Sequence, residues 1–153
     1  MSKLTDYGTL ILARLGRSQQ LRNATDLANS TGLPLPTVSK VLKALTNSGL
    51  VASERGPNGG YRLTREPSQI SAAAILDALE GPLALTECSG DTSHCKLEST
   101  CTVGSSWQRI NKTIHDSLRG VSLNDLQHSE RLSQSFTISL LKPDTAARSA
   151  AGE

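Results

Sequence analysis

The pattern that most restricts the fold is a pair of short helical stretches followed by two short strands. Asn23 opens the first stretch, which runs to Ser30 and is followed by a turn at Gly32. The second stretch begins with Pro36 in its first turn, and Gly49 ends it. Its two faces differ in character, with Val38, Val41, Leu42 and Leu45 expected inside and Thr37, Ser39, Lys40, Lys43 and Asn47 on or near the outer face. Two such helices joined by a glycine turn predict a helix-turn-helix.

The residues after the second helix predict a β-hairpin. Residues 50–53 and 61–63 have strand character, and the sequence RGPNGG between them is a tight turn. Next to a helix-turn-helix, such a hairpin is a wing, whose glycine-rich tip approaches a phosphate backbone closely and whose Arg55 is available for the minor groove. A plain hairpin beside a plain helix pair is the alternative that the pattern leaves open. The predicted fold is mainly α with a small β-hairpin wing.

Three further helices complete the prediction. Residues 4–16 have helical spacing, and Ser71 starts another helix that ends at Gly81. Apolar residues then recur at intervals of three and four from Val103 to Val121, a spacing typical of a helix that packs against a partner helix. A long helix that lies along its own domain is the alternative, but a helix-turn-helix protein normally reads two half-sites, which favours a homodimer. We therefore predict a winged helix-turn-helix domain at 1–81, a cysteine-rich loop at 82–102, a long C-terminal dimerisation helix at 103–126 and a flexible tail at 127–153.

The excess of positive charge lies in the N-terminal half of the chain. Over the 153 residues the net charge is only +2, but residues 1–66 contain nine Lys and Arg against four Asp and Glu, a net charge of +5. A basic front half suggests a polyanionic partner at that end. The N-terminus has no long apolar run, so we expect neither a signal peptide nor a membrane span, and a cytoplasmic location.

All three cysteines fall within fourteen residues that read CSGDTSHCKLESTC, from Cys88 to Cys101. Thiolates bind iron–sulfur clusters and zinc tightly, and a loop can direct three of them inward. Structural zinc sites usually include two cysteines only two to four residues apart, which the gaps of six and five residues here do not provide. A zinc site completed by His94, a thiol sensor that works by disulfide exchange, and three unrelated thiols remain open alternatives.

An enzyme with a nucleophilic cysteine is a further class, but the sequence gives it little support. The chain has no glycine-rich phosphate loop, nucleophile elbow or paired-carboxylate pattern, and only His94, His115 and His128 are available as bases. We predict that the protein is not an enzyme and has no small-molecule substrate.

An ordered series of motifs resembles the Rrf-two family of winged-helix regulators. The matching segments are LTDYGTLIL, LPTVSKVLKALTNSGLV, RGPNGGYRL, ISAAAILDALEGPLALTEC, WQRIN and VSLNDL, together with the three cysteines, and they cover roughly residues 1–126. Within the family, the sequence is most similar to regulators of the SUF iron–sulfur assembly operon. The resemblance implies a homodimer that binds double-stranded operator DNA and acts as a cluster-sensing repressor. A nitric-oxide or redox-responsive repressor of another regulon, and a zinc-stabilised DNA-binding protein without sensing, are the alternatives.

The resemblance also implies a ligand set. Cys88, Cys95 and Cys101 would hold an iron–sulfur cluster, for which we expect the 2Fe-2S type in preference to 4Fe-4S. The histidine that follows the third cysteine by three residues in some members is Gly104 here. Other members use an N-terminal aspartate from the opposite subunit, and Asp6 occupies the corresponding place. A role for Asp6 as the N-cap of the first helix is the competing interpretation. His94 is a third candidate for the remaining ligand, although ligation by its neighbour Cys95 makes simultaneous binding sterically awkward.

For DNA, the resemblance implies two sets of contacts. The major-groove set is Pro36, Thr37, Ser39, Lys40 and Lys43, and the wing set at the minor groove is Arg55 with Asn58, Gly59, Gly60 and Tyr61. Ser39 stands where some members have a glutamate, so the preferred operator should differ from theirs. Lys40 and Lys43 are expected to contact phosphates rather than bases.

Overall fold

The computed structural model describes residues 2–86 and 103–128. Its helices are α1 (Lys3–Leu15), α2 (Ala24–Thr31), α3 (Leu35–Asn47), α4 (Ala72–Glu80), α5 (Gly104–Arg119) and α6 (Leu123–Gln127). Strands β1 (Val51–Glu54) and β2 (Gly60–Leu63) follow α3, and a short 3-10 turn (Pro67–Gln69) precedes α4. The predicted fold class, mainly α with a β-hairpin wing, is confirmed. In the described ranges, no helix combines the length and the apolar character needed to cross a bilayer.

Side-chain caps determine where several helices begin. The side chain of Asn23 accepts a hydrogen bond of 2.8 Å from the backbone N–H of Asp26, and Ser71 accepts one of 3.2 Å from Ala74. Gly32 ends α2 in the left-handed conformation, with φ of 72°, which glycine adopts without steric cost. These boundaries match those predicted from the sequence.

The cap of α1 differs from one interpretation of the sequence. Ser2 is the N-cap, since its hydroxyl accepts a hydrogen bond of 3.2 Å from the backbone N–H of Leu4. Asp6 lies further along the first turn and is exposed. The interpretation of Asp6 as the N-cap is therefore wrong, because Ser2 already occupies that position.

The hairpin is joined to the rest of the domain by a third segment. Strands β1 and β2 are antiparallel, with Val51 opposite Leu63 and Glu54 opposite Gly60. On the other side of β2, Arg22 and Tyr61 exchange two backbone hydrogen bonds of 3.1 and 2.9 Å. These bonds hold the wing against the segment that leads into α2.

The hydrophobic core lies between α1, α3 and α4 and extends to α2, β1 and α6. Its fully buried members are aliphatic: Ile11, Leu12, Leu15, Leu27, Val38, Val41, Leu42, Leu45, Val51, Ile70, Ile75 and Leu123. Burial of each such side chain contributes about 1.5–3 kcal/mol relative to exposure. The packing fixes α3 by its apolar face, so that its other face is turned to solvent.

The helix predicted at 103–126 is divided in two. Helix α5 ends at Arg119, and the chain then pairs with the start of α4, where the N–H of Ala72 donates to the carbonyl of Val121 at 2.8 Å. A capping box between Ser122 and Asp125 starts α6. Leu123, which falls within the range predicted for the dimerisation helix, is instead fully buried in the core of the N-terminal helices. The physical reason is that a new cap and a buried leucine interrupt the apolar spacing. Residues 129–153 of the predicted tail lie outside the described residues.

Candidate nucleic-acid interface

The outer face of α3 carries the predicted DNA contacts. Pro36, Ser39, Lys40 and Lys43 are exposed and Thr37 is half-buried, whereas the four apolar residues of the opposite face are fully buried. The helix thus presents one polar and cationic surface along its length. Within residues 2–86 and 103–128, no carboxylate forms an ion pair with Lys40 or Lys43. Their charge is available for phosphate groups.

The wing tip has an exposed part and a structural part. Arg55 and Asn58 are exposed, and no ion pair holds Arg55 among the described residues. Gly59 is half-buried, and a Cβ there would clash with the carbonyl oxygen of Glu54. Gly60 is buried, and a Cβ there would lie 2.8 Å from the carbonyl of Arg22. Both glycines thus shape the hairpin.

Tyr61 and Arg62 belong to the body of the wing rather than to its tip. The backbone of Tyr61 is paired with Arg22, and its half-buried side chain packs against the hydrophobic core. Arg62 forms an ion pair of 2.9 Å with Glu54 on the neighbouring strand, and both side chains are half-exposed. Such a surface pair contributes little to stability, so the register of the two strands rests on their backbone pairing.

Arg22 is a basic residue at this surface that the sequence analysis missed. The Arg22–Tyr61 pairing places it beside the end of β2 that is nearest the wing tip, although 39 positions separate it from Tyr61 in the sequence. An isolated bridge of this kind has no periodicity, so no local sequence signal identifies it. The basic character of residues 1–66 was the only indication.

The predicted cluster ligands Cys88, Cys95 and Cys101, and the alternative ligand His94, lie outside the described residues. Within residues 2–86 and 103–128, no group of three or more His, Cys, Asp and Glu side chains is placed to hold a metal ion. The chemistry of a three-thiolate donor set fits an iron–sulfur cluster.

The segment that leads to the first cysteine is held by α5. The side-chain amide of Asn111 donates a hydrogen bond of 2.8 Å to the carbonyl of Leu83, and its oxygen accepts one of 3.3 Å from the N–H of Leu85. Further along α5, Nε2 of His115 lies 3.3 Å from Oδ2 of Asp77 in α4. Helix α5 is thereby fixed to α4 and to the segment that follows it.

The fourth candidate ligand, Asp6, is presented by a well-anchored helix end. The carboxylate of Glu80, at the end of α4, accepts hydrogen bonds from the Thr5 hydroxyl and from the backbone N–H and hydroxyl of Ser2, the latter two at 2.8 and 3.1 Å. The bond from Thr5, followed by those from Ser2, lowers the pKa of Glu80. The start of α1 is thus tied to the end of α4, and the exposed Asp6 has a fixed position.

Helix α5 carries an apolar stripe that the described part of the chain leaves uncovered. Val103, Trp107, Ile110 and Ile114 are 37–54% exposed, and no residue of α5 is buried. The intervals of four, three and four residues place these side chains on one face of the helix. A stripe of this kind is typical of a surface that packs against another helix.

Comparison with known proteins identifies the family. The sequence profile named Rrf2, described as an iron-dependent transcriptional regulator, matches residues 1–129. The chain belongs to the Rrf2 family. This is the Rrf-two family that the sequence motifs indicated, and its members are transcriptional regulators, so the prediction that the chain is not an enzyme is confirmed.

Similar Rrf2 proteins include named regulators. The HTH-type transcriptional regulator IscR of Aliivibrio salmonicida is 30% identical over 109 residues, which cover 71% of this chain and 64% of that protein. The structure resembles CymR, the global cysteine regulator of B. subtilis, with a TM-score of 0.63, 27% identity, and coverage of 84% of this chain and 96% of CymR. T. potens IscR gives a TM-score of 0.62 at 26% identity, with coverage of 88% and 90%. The matched region spans about three fifths of the length of the curated relatives.

Proposed function

We propose that the protein is a homodimeric, iron–sulfur-cluster-responsive regulator that binds double-stranded operator DNA in the cytoplasm and represses genes of SUF iron–sulfur assembly. The observation that carries the DNA-binding part is the outer face of α3. There Lys40 and Lys43 are exposed and form no ion pair with any described residue, on a helix whose other face is buried and which is followed by an exposed wing tip. This is the arrangement that a recognition helix requires.

The residues divide into two kinds of DNA contact. Pro36, Thr37 and Ser39, near the start of α3, would face base edges, because recognition helices read bases with their N-terminal residues. Lys40 and Lys43 would bind phosphates, which position the protein without reading sequence. The hydroxyl of Ser39 donates and accepts hydrogen bonds and carries no charge, so it does not repel nearby phosphates.

On the wing, Arg55 and Asn58 would reach the minor groove, since both are exposed at the tip. Gly59, Gly60 and Tyr61 would contribute by holding the tip in place. This division follows from the burial of Gly60 and from the backbone pairing of Tyr61 with Arg22.

Dimerisation would use the apolar stripe of α5. Val103, Trp107, Ile110 and Ile114 form a face that residues 2–86 and the rest of 103–128 leave uncovered, and a second copy of the same face would bury it by two-fold symmetry. A dimer would present two α3 helices to two half-sites of the operator.

The thiolates of Cys88, Cys95 and Cys101 would hold the cluster, with the partner subunit's Asp6 as the remaining ligand. When bound, the cluster supplies a redox-sensitive and labile group whose presence reports on cluster supply. A carboxylate oxygen is a hard ligand, so its bond to iron among thiolates would be the weakest of the four. The exposure of Asp6 on an anchored helix end supports this role. Ligation across subunits would also fix the distance between the two α3 helices.

The experiment that tests this proposal compares cluster-loaded and apo protein on one DNA fragment. Protein purified without oxygen is analysed for iron, acid-labile sulfide and visible absorption, and its affinity for a SUF promoter fragment is measured by fluorescence anisotropy before and after cluster removal. We expect affinities that differ by about tenfold to a hundredfold, which corresponds to ~1–3 kcal/mol of coupling. Cys95→Ser should lose the cluster, and Asp6→Ala should retain iron but lose it faster in air.

Equal affinities of the two forms would refute cluster sensing, and a colourless protein that contains zinc would favour the zinc-stabilised alternative. The similarity to CymR, described as a global cysteine regulator, gives a reason to include other promoters. Selective binding to a promoter from cysteine metabolism or from the nitric-oxide response, with none to the SUF fragment, would identify a different regulon.

A further inference from the structure

The side chain of Asn111 connects two parts of the chain that the proposed mechanism treats separately. Its amide group binds the carbonyl of Leu83 at 2.8 Å and accepts from the N–H of Leu85 at 3.3 Å, so both its donor and its acceptor are used on one short segment. That segment begins just after α4 and ends three residues before Cys88. Asn111 therefore fixes the path by which the chain approaches the first cysteine.

The same helix also carries the candidate dimer surface. Asn111 and His115 are four residues apart and lie on one face of α5, where His115 meets Asp77 of α4 at 3.3 Å. The apolar stripe through Ile110 and Ile114 occupies the adjacent face. A displacement of residues 83–85, the lead-in segment, would therefore also displace α5, the helix that carries the apolar stripe.

We propose that Asn111 is a positioning residue that couples residues 83–85, which lead to Cys88, to α5, and through α5 to the winged domain. The inference rests on the proposed function only in treating Cys88, Cys95 and Cys101 as the sensor. When residues 83–85 move, the two hydrogen bonds of Asn111 transmit that movement to α5.

The first test uses apo protein and needs no cluster. In Asn111→Ala, the alkylation rate of Cys88 by N-ethylmaleimide, resolved by mass spectrometry, should rise by about threefold to tenfold, the effect of losing two ordinary hydrogen bonds. The rate at Cys101 should change little, because that residue lies at the other end of the segment. Asn111→Asp keeps the acceptor for Leu85 but loses the donor to Leu83, so its effect should be intermediate.

Ser117→Ala is the matched control, since the Ser117 hydroxyl binds only within α5, at 2.9 Å to the carbonyl of Thr113. Its alkylation rates should equal those of the wild type. Amide hydrogen exchange at Leu85 gives a second measurement that is independent of thiol chemistry. Protection of the Leu85 N–H should fall in Asn111→Ala and be largely kept in Asn111→Asp, which retains its acceptor. Circular dichroism shows whether each variant is folded. If Asn111→Ala does not fold, the alkylation rates of Asn111→Asp are compared with those of the wild type instead.

The second test compares DNA affinity of loaded and apo forms. Asn111→Ala should still bind iron with the wild-type absorption spectrum, but the ratio of the two affinities should fall to about threefold or less. Unchanged rates at Cys88, or equal increases at Cys88 and Cys101, would overturn the inference. If wild-type protein fails to load a cluster, the proposed function fails, while the alkylation experiment still decides the role of Asn111.

Discussion

Gly60→Ala should destabilise the protein through a contact between the wing and the segment that leads into α2. The added Cβ would lie 2.8 Å from the carbonyl carbon and oxygen of Arg22, whereas ordinary contacts begin at 3.4 Å. The obstructing atoms are backbone, and the hydrogen bonds of 2.9 and 3.1 Å between Arg22 and Tyr61 hold them in place. The wing must therefore separate from the segment before α2.

The expected loss of stability follows from the steric overlap and from the weakened hydrogen bonds between Arg22 and Tyr61. Overpacking of a well-packed site costs about 1–3 kcal/mol, and weakening two backbone hydrogen bonds adds about 1 kcal/mol, so we expect the free energy of unfolding to fall by ~2–4 kcal/mol. Urea unfolding followed by circular dichroism measures it, at one fixed protein concentration because a dimer is stabilised by mass action.

Gly120→Ala is the control for this prediction. Gly120 has φ of −73°, and a Cβ there would meet the carbonyl oxygens of Ser117 and Asp116 at 3.4 and 4.0 Å, which are ordinary contacts. The same chemical change should leave stability unchanged or raise it by about 0.4–1 kcal/mol. If Gly60→Ala and Gly120→Ala unfold at the same urea concentration, the role assigned to the Arg22–Tyr61 pairing is refuted.

Three further substitutions test other parts of the structure. Leu123→Ala removes a fully buried side chain and should lower the free energy of unfolding by about 2–5 kcal/mol. A loss below ~1 kcal/mol in urea unfolding would contradict the place of Leu123 in the core. Lys43→Ala should weaken binding to operator and scrambled duplex alike and reduce the slope of log affinity against log salt by about one. Fluorescence anisotropy over a salt series measures this slope, and a loss of affinity confined to the operator would instead indicate that Lys43 reads bases. Because hydrogen bonds from Thr5 and Ser2 lower the pKa of Glu80 below its ordinary value of 4.5, the ionised carboxylate stabilises the fold fully above about pH 4.5, and this contribution is lost as the pH falls through the lowered pKa. The difference in melting temperature between wild type and Glu80→Gln should therefore be largest near neutral pH and narrow below pH 4.5, whereas a constant difference would show that the carboxylate charge is not involved.

The parts of the fold that the sequence predicted are those encoded by neighbouring residues. Asn23 and Ser71 cap the helices that follow them, and Gly32 ends α2 because it adopts a left-handed conformation. The two faces of α3 follow directly from helical periodicity, since its apolar residues recur every three or four positions. The candidate DNA-binding face was therefore predictable from a local pattern.

The parts that escaped prediction depend on contacts between distant residues. The apolar spacing continues from α5 to Val121, so periodicity alone could not show that Ser122 starts a new helix and sends Leu123 into the core. The pairing of Arg22 with Tyr61 and the binding of the lead-in segment by Asn111 likewise leave no pattern in the local sequence.

The packing of residues 121–127 against the N-terminal helices has a consequence for how the protein folds during synthesis. Leu123 completes the core that α1, α3 and α4 begin, and a chain emerging from the ribosome supplies it only after the cysteines at 88, 95 and 101 have been synthesised. The nascent protein thus passes through a stage in which its thiols have emerged while its core still lacks a leucine. In the proposed function, cluster insertion and the final folding step would therefore overlap in time, and a truncated product that ends before Leu123 would leave the apolar core around that leucine incomplete.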